Sequence, residues 1–211
     1  METIIYIVRH GESVSNKAGT FTGIVDVPLS ELGEKQALKI CEFLANKDID
    51  AIYSSPLSRA RATVAPLGEA LGKNVVADAR FIEINFGRWE GKAKEYLIQN
   101  EPEFNDWLKF PMLSYPNDAE NPQKAYERFL KGMDELVKKH EGKSIVIAAH
   151  GAIILSLMCG IGYFDAKVVG PKNIARNASV TKLVYNDGKY TVEFYAYEEY
   201  LQELKAEFRY E

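Results

Sequence analysis

The chain alternates between short unbroken apolar runs and longer stretches in which apolar residues recur every three or four positions. The first run, Ile4-Ile5-Tyr6-Ile7-Val8, has no period-2 alternation, which predicts a strand buried on both faces, as in a covered parallel sheet. Ser144 to Ala149 has the same character, and Ala51 to Ser54 and Val75 to Ala77 predict shorter strands. Between them the pattern turns helical. Ser30 is placed to cap a helix running to about Asn46, with Leu32, Ala37, Ile40, Phe43 and Leu44 on one face. Ser55-Pro56 predicts a second helix, with the serine as cap and Pro56 at its first position. Pro66 is expected to kink or end that helix.

Further helices are expected over about Gln123 to His140 and over Gly151 to Gly160. Val180 to Tyr185 and Tyr190 to Ala196 read as a hairpin turning at Asn186-Asp187-Gly188. An amphipathic helix with Leu201, Leu204 and Phe208 closes the chain. Residues 92–125, punctuated by four prolines, read as an irregular excursion of short helices over the active site, within a single domain covering 1–211. Strands alternating with helices imply an α/β fold, a three-layer α/β/α sandwich around a mostly parallel sheet.

Composition narrows the function more than the fold. A net charge of −4 lacks the basic footprint of a nucleic-acid binder. No apolar run approaches the ~20 residues of a membrane span. No basic start with a long apolar region marks a signal peptide, and Cys41 and Cys159 read as reduced, buried thiols, so a cytoplasmic protein is expected. No His-Glu-x-x-His, His-x-His or dense carboxylate cluster suggests a metal, and no phosphate-binding Gly-x-x-x-x-Gly-Lys-Ser/Thr loop is present. No cofactor is expected. The oligomeric state is not legible: the apolar stripe of the last helix fits either the core or the second subunit of a dimer.

The chemistry concentrates where the apolar runs stop. The first run ends in Arg9-His10-Gly11 and the Ser144 run in His150-Gly151, so two of the three histidines close buried strands and precede a glycine. In open α/β sheets the reactive crevice lies beyond the carboxyl ends of the strands. A neutral imidazole can attack phosphorus and carry the phosphoryl group. Guanidinium groups such as those of Arg9 and Arg59 bind phosphate oxygens bidentately and favour the neutral ring. His140, at the end of its helix, reads as a C-terminal cation, and Arg61, two residues past Arg59, faces elsewhere.

Arg9-His10-Gly11, with the segments around Arg59, Glu83 and His150, resembles the histidine phosphatase superfamily, the phosphoglycerate mutase-like family. The blocks 4–33, 51–63, 81–91, 144–151 and 177–183 carry the likeness, in order. The resemblance implies His10 as nucleophile, Arg9, Arg59 and His150 as a phosphate pocket with Gly151 beside it, and Glu83 as proton donor. Asn16, Thr22 and Gly23 in the first loop resemble its phosphate-contacting positions. Mutases of this type carry Arg and Tyr soon after the acidic residue; here Ile84, Asn85 and Phe86 follow Glu83, and no arginine lies between Arg88 and Arg128. The stretch ending Phe86-Gly87-Arg88-Trp89-Glu90-Gly91 looks more like the phosphatase branch, which includes broad-specificity and α-ribazole phosphatases.

The expected function is a metal-independent phosphomonoesterase of the histidine acid phosphatase type, acting on a small phosphorylated metabolite through phosphohistidine. A cofactor-dependent phosphoglycerate mutase and a non-catalytic phospho-ligand-binding pocket are the alternatives.

Overall fold

The computed structural model describes residues 1–204. Six strands form one sheet in the order β3-β2-β4-β1-β5-β6. They are β1 (Thr3–Arg9), β2 (Ile49–Ser54), β3 (Val75–Ala77), β4 (Ser144–Ala149), β5 (Val180–Asn186) and β6 (Lys189–Tyr197). The first four run parallel; β5 and β6 are the expected hairpin, antiparallel to β1 and to each other. Asp187 and Gly188 take φ of 49° and 80° at its turn, the left-handed pair that a two-residue connection needs.

The missing period-2 pattern in β1 has a direct cause. Ile5 and Ile7 point to one apolar layer with Ile145 and Ile147, while Tyr6 and Val8 point to the other with Val146 and Ala148. The first layer is closed by α6 (Pro122–Lys139) and α7 (Gly151–Gly160), through Phe129, Met133, Ile153 and Leu157. The second is closed by α2 (Glu31–Leu44) and α3 (Ser58–Leu71), through Ile40, Ala60 and Val64. The result is the three-layer α/β/α sandwich with a mostly parallel sheet. A one-turn helix α1 (Val14–Lys17) follows β1, and α4 (Lys94–Asn100) and α5 (Pro102–Trp107) lie within the excursion.

Three local expectations need correction. α3 begins at Ser58 with Leu57 as its uncapped start, not at Ser55-Pro56; the Ser55 hydroxyl is engaged elsewhere, as shown below. Pro66 does not end α3, the one of its two expected effects that the helix bounds decide: the helix continues to Leu71 and stops at Gly72 in the left-handed conformation. Val64, Leu67 and Gly68, buried around the proline, hold the helix together by packing. His140 caps α6, but burial and the neighbouring Lys139 and Lys143 lower its pKa, which works against a cation there. At the chain's end Leu201 and Leu204 are buried, and Phe208 lies outside the described residues.

Candidate active site

The parallel strands deliver the candidate residues to one edge of the sheet. Arg9 pairs with Ala149 in the register of β1 and β4, so His10 and His150 leave adjacent strands side by side, their rings 5.1 Å apart between centroids. The His10 amide donates to the Ala149 carbonyl at 3.0 Å. β2 ends level with them, Ser54 opposite Ala148, and leads through Ser55 into α3, which carries Arg59 in its first turn. Arg59 is 1% exposed, His150 0%, His10 5% and Glu83 6%. A buried charge needs partners. Arg59 finds them in the first loop, donating from Nη1 to the Val25 carbonyl (2.9 Å) and from Nη2 to the Gly23 carbonyl (2.6 Å). Arg9 donates from Nη1 to the Ala175 carbonyl.

Hydrogen bonds fix the tautomer of His10 and set a hydroxyl against His150. His10 Nδ1 lies 2.7 Å from the Gly11 carbonyl; a carbonyl can only accept, so Nδ1 holds the proton and Nε2 the lone pair. His150 Nε2 lies 2.8 Å from Ser55 Oγ, which also accepts the Leu57 amide at 3.3 Å. A hydroxyl that accepts the Leu57 amide still has a proton to give and a lone pair to offer, so Ser55 serves either tautomer of His150, whose Nδ1 is a buried atom with no partner among the described residues. Burial, followed by Arg9 and Arg59, holds His10 well below its ordinary pKa, against the pull of the Gly11 carbonyl. Burial, Arg59, His10 and Arg9 do the same to His150. Both rings are neutral at neutral pH.

Glu83 is placed by α7 as much as by its own loop. Its Oε1 accepts the amides of Ile84 (2.9 Å) and Ile153 (2.8 Å), and its Oε2 that of Ala152 (3.0 Å). Burial raises its pKa, while the three amides and Arg59 oppose the rise; the net direction is upward. Arg128 donates to the carbonyls of Arg80, Ile82 and Glu83 and pairs with Glu120, fixing the segment that carries the carboxyl.

The loop residues divide. Asn16 and Thr22 line a cavity of about 410 Å³ that opens beside Arg9, Glu83 and Gly151. Asn16 Oδ1 accepts from Ser13 and from the Asn177 side chain. Gly23 lies behind that wall and serves through its carbonyl; a Cβ there would stand 2.2 Å from the Ile84 carbonyl oxygen. Gly151 has the same kind of constraint, since its Cβ would meet Arg9 Cζ at 3.0 Å and Ile174 at 2.8 Å. Arg61 is exposed on the far side of α3.

Several residues that organise this site carried no motif. Ser55 orients His150. Thr63 Oγ1 accepts the Gly11 amide at 2.9 Å. Asn177 Nδ2 donates to the His10 carbonyl at 3.1 Å. Glu90 accepts the amides of Ile24, Val25 and Phe86 and so joins the first loop to the Glu83 segment. Lys94, Lys172 and Arg176 reach the cavity from regions with no recognisable pattern. Each acts on a partner far away in sequence, so only a signal that pairs distant positions could have found them. Among the described residues no group of three or more His, Cys, Asp or Glu could hold a metal ion, and no helix is long and apolar enough to cross a membrane.

The chain is similar to known proteins in sequence and in fold. The chain is 32% identical over 158 residues to phosphoserine phosphatase 1 of Hydrogenobacter thermophilus, covering 74% of this chain and 75% of that one. It is 27% identical over 195 residues to the metal-independent phosphoserine phosphatase of Arabidopsis thaliana, covering 90% and 80%. The solved structure of Bacillus stearothermophilus YhfR superposes with a TM-score of 0.88 at 27% identity, over 94% of this chain and 99% of that one. The family model for the histidine phosphatase superfamily (branch 1) matches residues 5–198, and the chain belongs to that superfamily.

Proposed function

We propose that the protein is a phosphatase of small phosphate monoesters, acting without a metal through a phosphohistidine on His10. The observation that carries the proposal is the assignment of His10: its proton is held on Nδ1 by the Gly11 carbonyl, its Nε2 has no partner among the described residues, and burial together with Arg9 and Arg59 favours the neutral ring. The His10 Nε2 lone pair attacks phosphorus, the P–O bond to the organic half breaks, and its electron pair leaves with the alkoxide oxygen. The protonated Glu83 carboxyl donates to that oxygen. Water then attacks the phosphohistidine, Glu83 takes its proton, and the P–N bond breaks to restore the imidazole and release phosphate. Arg9, Arg59 and His150, in the tautomer with its proton on Nδ1 and Ser55 donating to Nε2, bind the equatorial oxygens as charge redistributes. Phosphate raises the Glu83 pKa further, offsetting the amides that favour its anion.

The test is phosphate release from a panel of small esters, with chelator present, by the wild type and His10→Ala. Wild-type release that survives chelator and falls at least ~10³-fold in the variant is expected. Normal turnover by His10→Ala would remove His10 as nucleophile. Isomerisation of phosphoglycerate without net release would assign the chain to the mutases instead.

A further inference from the structure

The cavity beside Arg9 holds more than a phosphoryl group, and what lines the remainder is lopsided in charge. Phe21, Phe86, Trp107 and Leu108 form an apolar wall, with Phe21 meeting Phe86 and Trp107 edge-on at 4.7 and 5.1 Å. Around it stand three further cations. Lys94 comes from the start of α4, and Lys172 and Arg176 from the segment that packs on Arg9 through the Ala175 carbonyl. Arg176 pairs with Glu198 at 3.1 Å; Lys94 and Lys172 have no ion-pair partner among the described residues. Among the described residues Glu83 is the only carboxylate lining the cavity, and it is held by three amides, two on Oε1 and one on Oε2.

Like charges gathered around one concave space raise the local potential and concentrate anions. The phosphoryl group already has Arg9, Arg59 and His150, so the outlying cations face the organic half of the ester. We infer that Lys94, Lys172 and Arg176 form a second-anion subsite, selecting phosphomonoesters whose organic half carries an acidic group on an apolar body. The same arrangement discriminates against an ammonium group, which would meet Lys94 and Lys172 beside the Glu198-paired Arg176 and find Glu83 as the one carboxylate among the described lining residues. Phosphoserine, the substrate in the names of two relatives, carries such an ammonium, so it ranks below esters of amine-free acids here. The inference rests on the phosphatase reading for its kinetic test but not for its binding test.

Four aryl phosphates with similar leaving phenols separate the charge from the chemistry: 4-ethylphenyl phosphate, 3-(4-phosphonooxyphenyl)propanoate, phosphotyramine and 2-(4-phosphonooxyphenyl)ethyl phosphate. KM is expected to rise from anionic to neutral to cationic ester, with at least ~10-fold between the extremes at low salt and less at high salt. The carboxylate and second-phosphate members tell which acid is preferred. In Lys172→Glu/Arg176→Glu the ratio of kcat/KM for the anionic over the cationic ester should fall at least ~10-fold. Calorimetric Kd values of the same esters on His10→Ala should follow the same order. No turnover of any ester with this order retained in Kd would sink the phosphatase and keep the subsite. Turnover with KM and Kd indifferent to charge would sink the subsite and keep the phosphatase.

Discussion

The three titratable groups at the centre of the site pull pH dependence in different directions. Folding holds both His10 and His150 below their ordinary value of 6.5, so the unfolded chain binds more protons than the folded one as pH falls through 6.5. Their contribution is complete above that point and lost below it. Glu83, raised from 4.5, has the opposite sign: above 4.5 its ionisation in the unfolded chain favours unfolding. Two buried imidazoles against one carboxyl give a melting temperature that falls between about pH 7.5 and 5.5, and His150→Gln should flatten that slope. An unchanged slope in the variant would mean that His150 is not held neutral. For catalysis the same depression keeps the His10 lone pair available well below pH 6.5. Glu83→Gln should slow alkyl esters at least ~10²-fold while leaving esters of acidic phenols much less affected, measured as kcat/KM across leaving groups; equal slowing would remove it as the acid.

At the scale of elements, the site depends on loops tied to one another across the fold. Arg59 is aimed by the carbonyls of Gly23 and Val25, and that stretch of backbone is held in turn by the Glu90 carboxylate. Glu90→Gln turns an N–H donor toward the Val25 amide in place of an acceptor, an unmade hydrogen bond of about 1–3 kcal/mol. The inhibition constant of inorganic phosphate should rise about fivefold or more, with the melting temperature lowered by roughly 2–12 °C. An unaltered constant would show that Arg59 is positioned without Glu90.

The same scale explains what could be read in advance. β1 and β4 were legible because burial on both faces leaves an unbroken apolar run, and the histidines stood out because each breaks such a run. Ser55 was legible as a helix start by its neighbour Pro56, and wrongly so, because its real partner is His150, 95 residues away. Pro66 obeyed local propensity on paper and tertiary packing in the fold. Lys172 and Arg176 were invisible because a lysine or arginine in an irregular segment looks solvated until the segment is folded back onto Arg9.

In the whole molecule, the layer beneath α6 and α7 is the larger of the two and is rich in aromatic rings. Phe129, fully buried, meets Phe81 edge-on at 4.9 Å, and Phe81 begins the segment that carries Glu83. Phe129→Ala should cost about 3–5 kcal/mol and lower the melting temperature by roughly 6–20 °C. A loss below about 1 kcal/mol would mean that the layer closes over the gap.

On the proposed reading Gly23 and Gly151 lie on the phosphate side of the site, where a Cβ at Gly23 would collide with the Ile84 carbonyl and one at Gly151 would press on the side chains of Ile174 and Arg9. Lys94, Lys172 and Arg176, on the organic side, are exposed and rooted in irregular backbone or at a helix start. The site is therefore unequal in its capacity to vary. On the phosphatase reading a lineage, or a mutant library, can exchange the three cations at small expense in stability and so retune which ester is accepted, while the half assigned to phosphorus is held by close contact, with backbone at Gly23 and with the Arg9 and Ile174 side chains at Gly151. Diversification of substrate around unchanged chemistry is built into where the glycines lie.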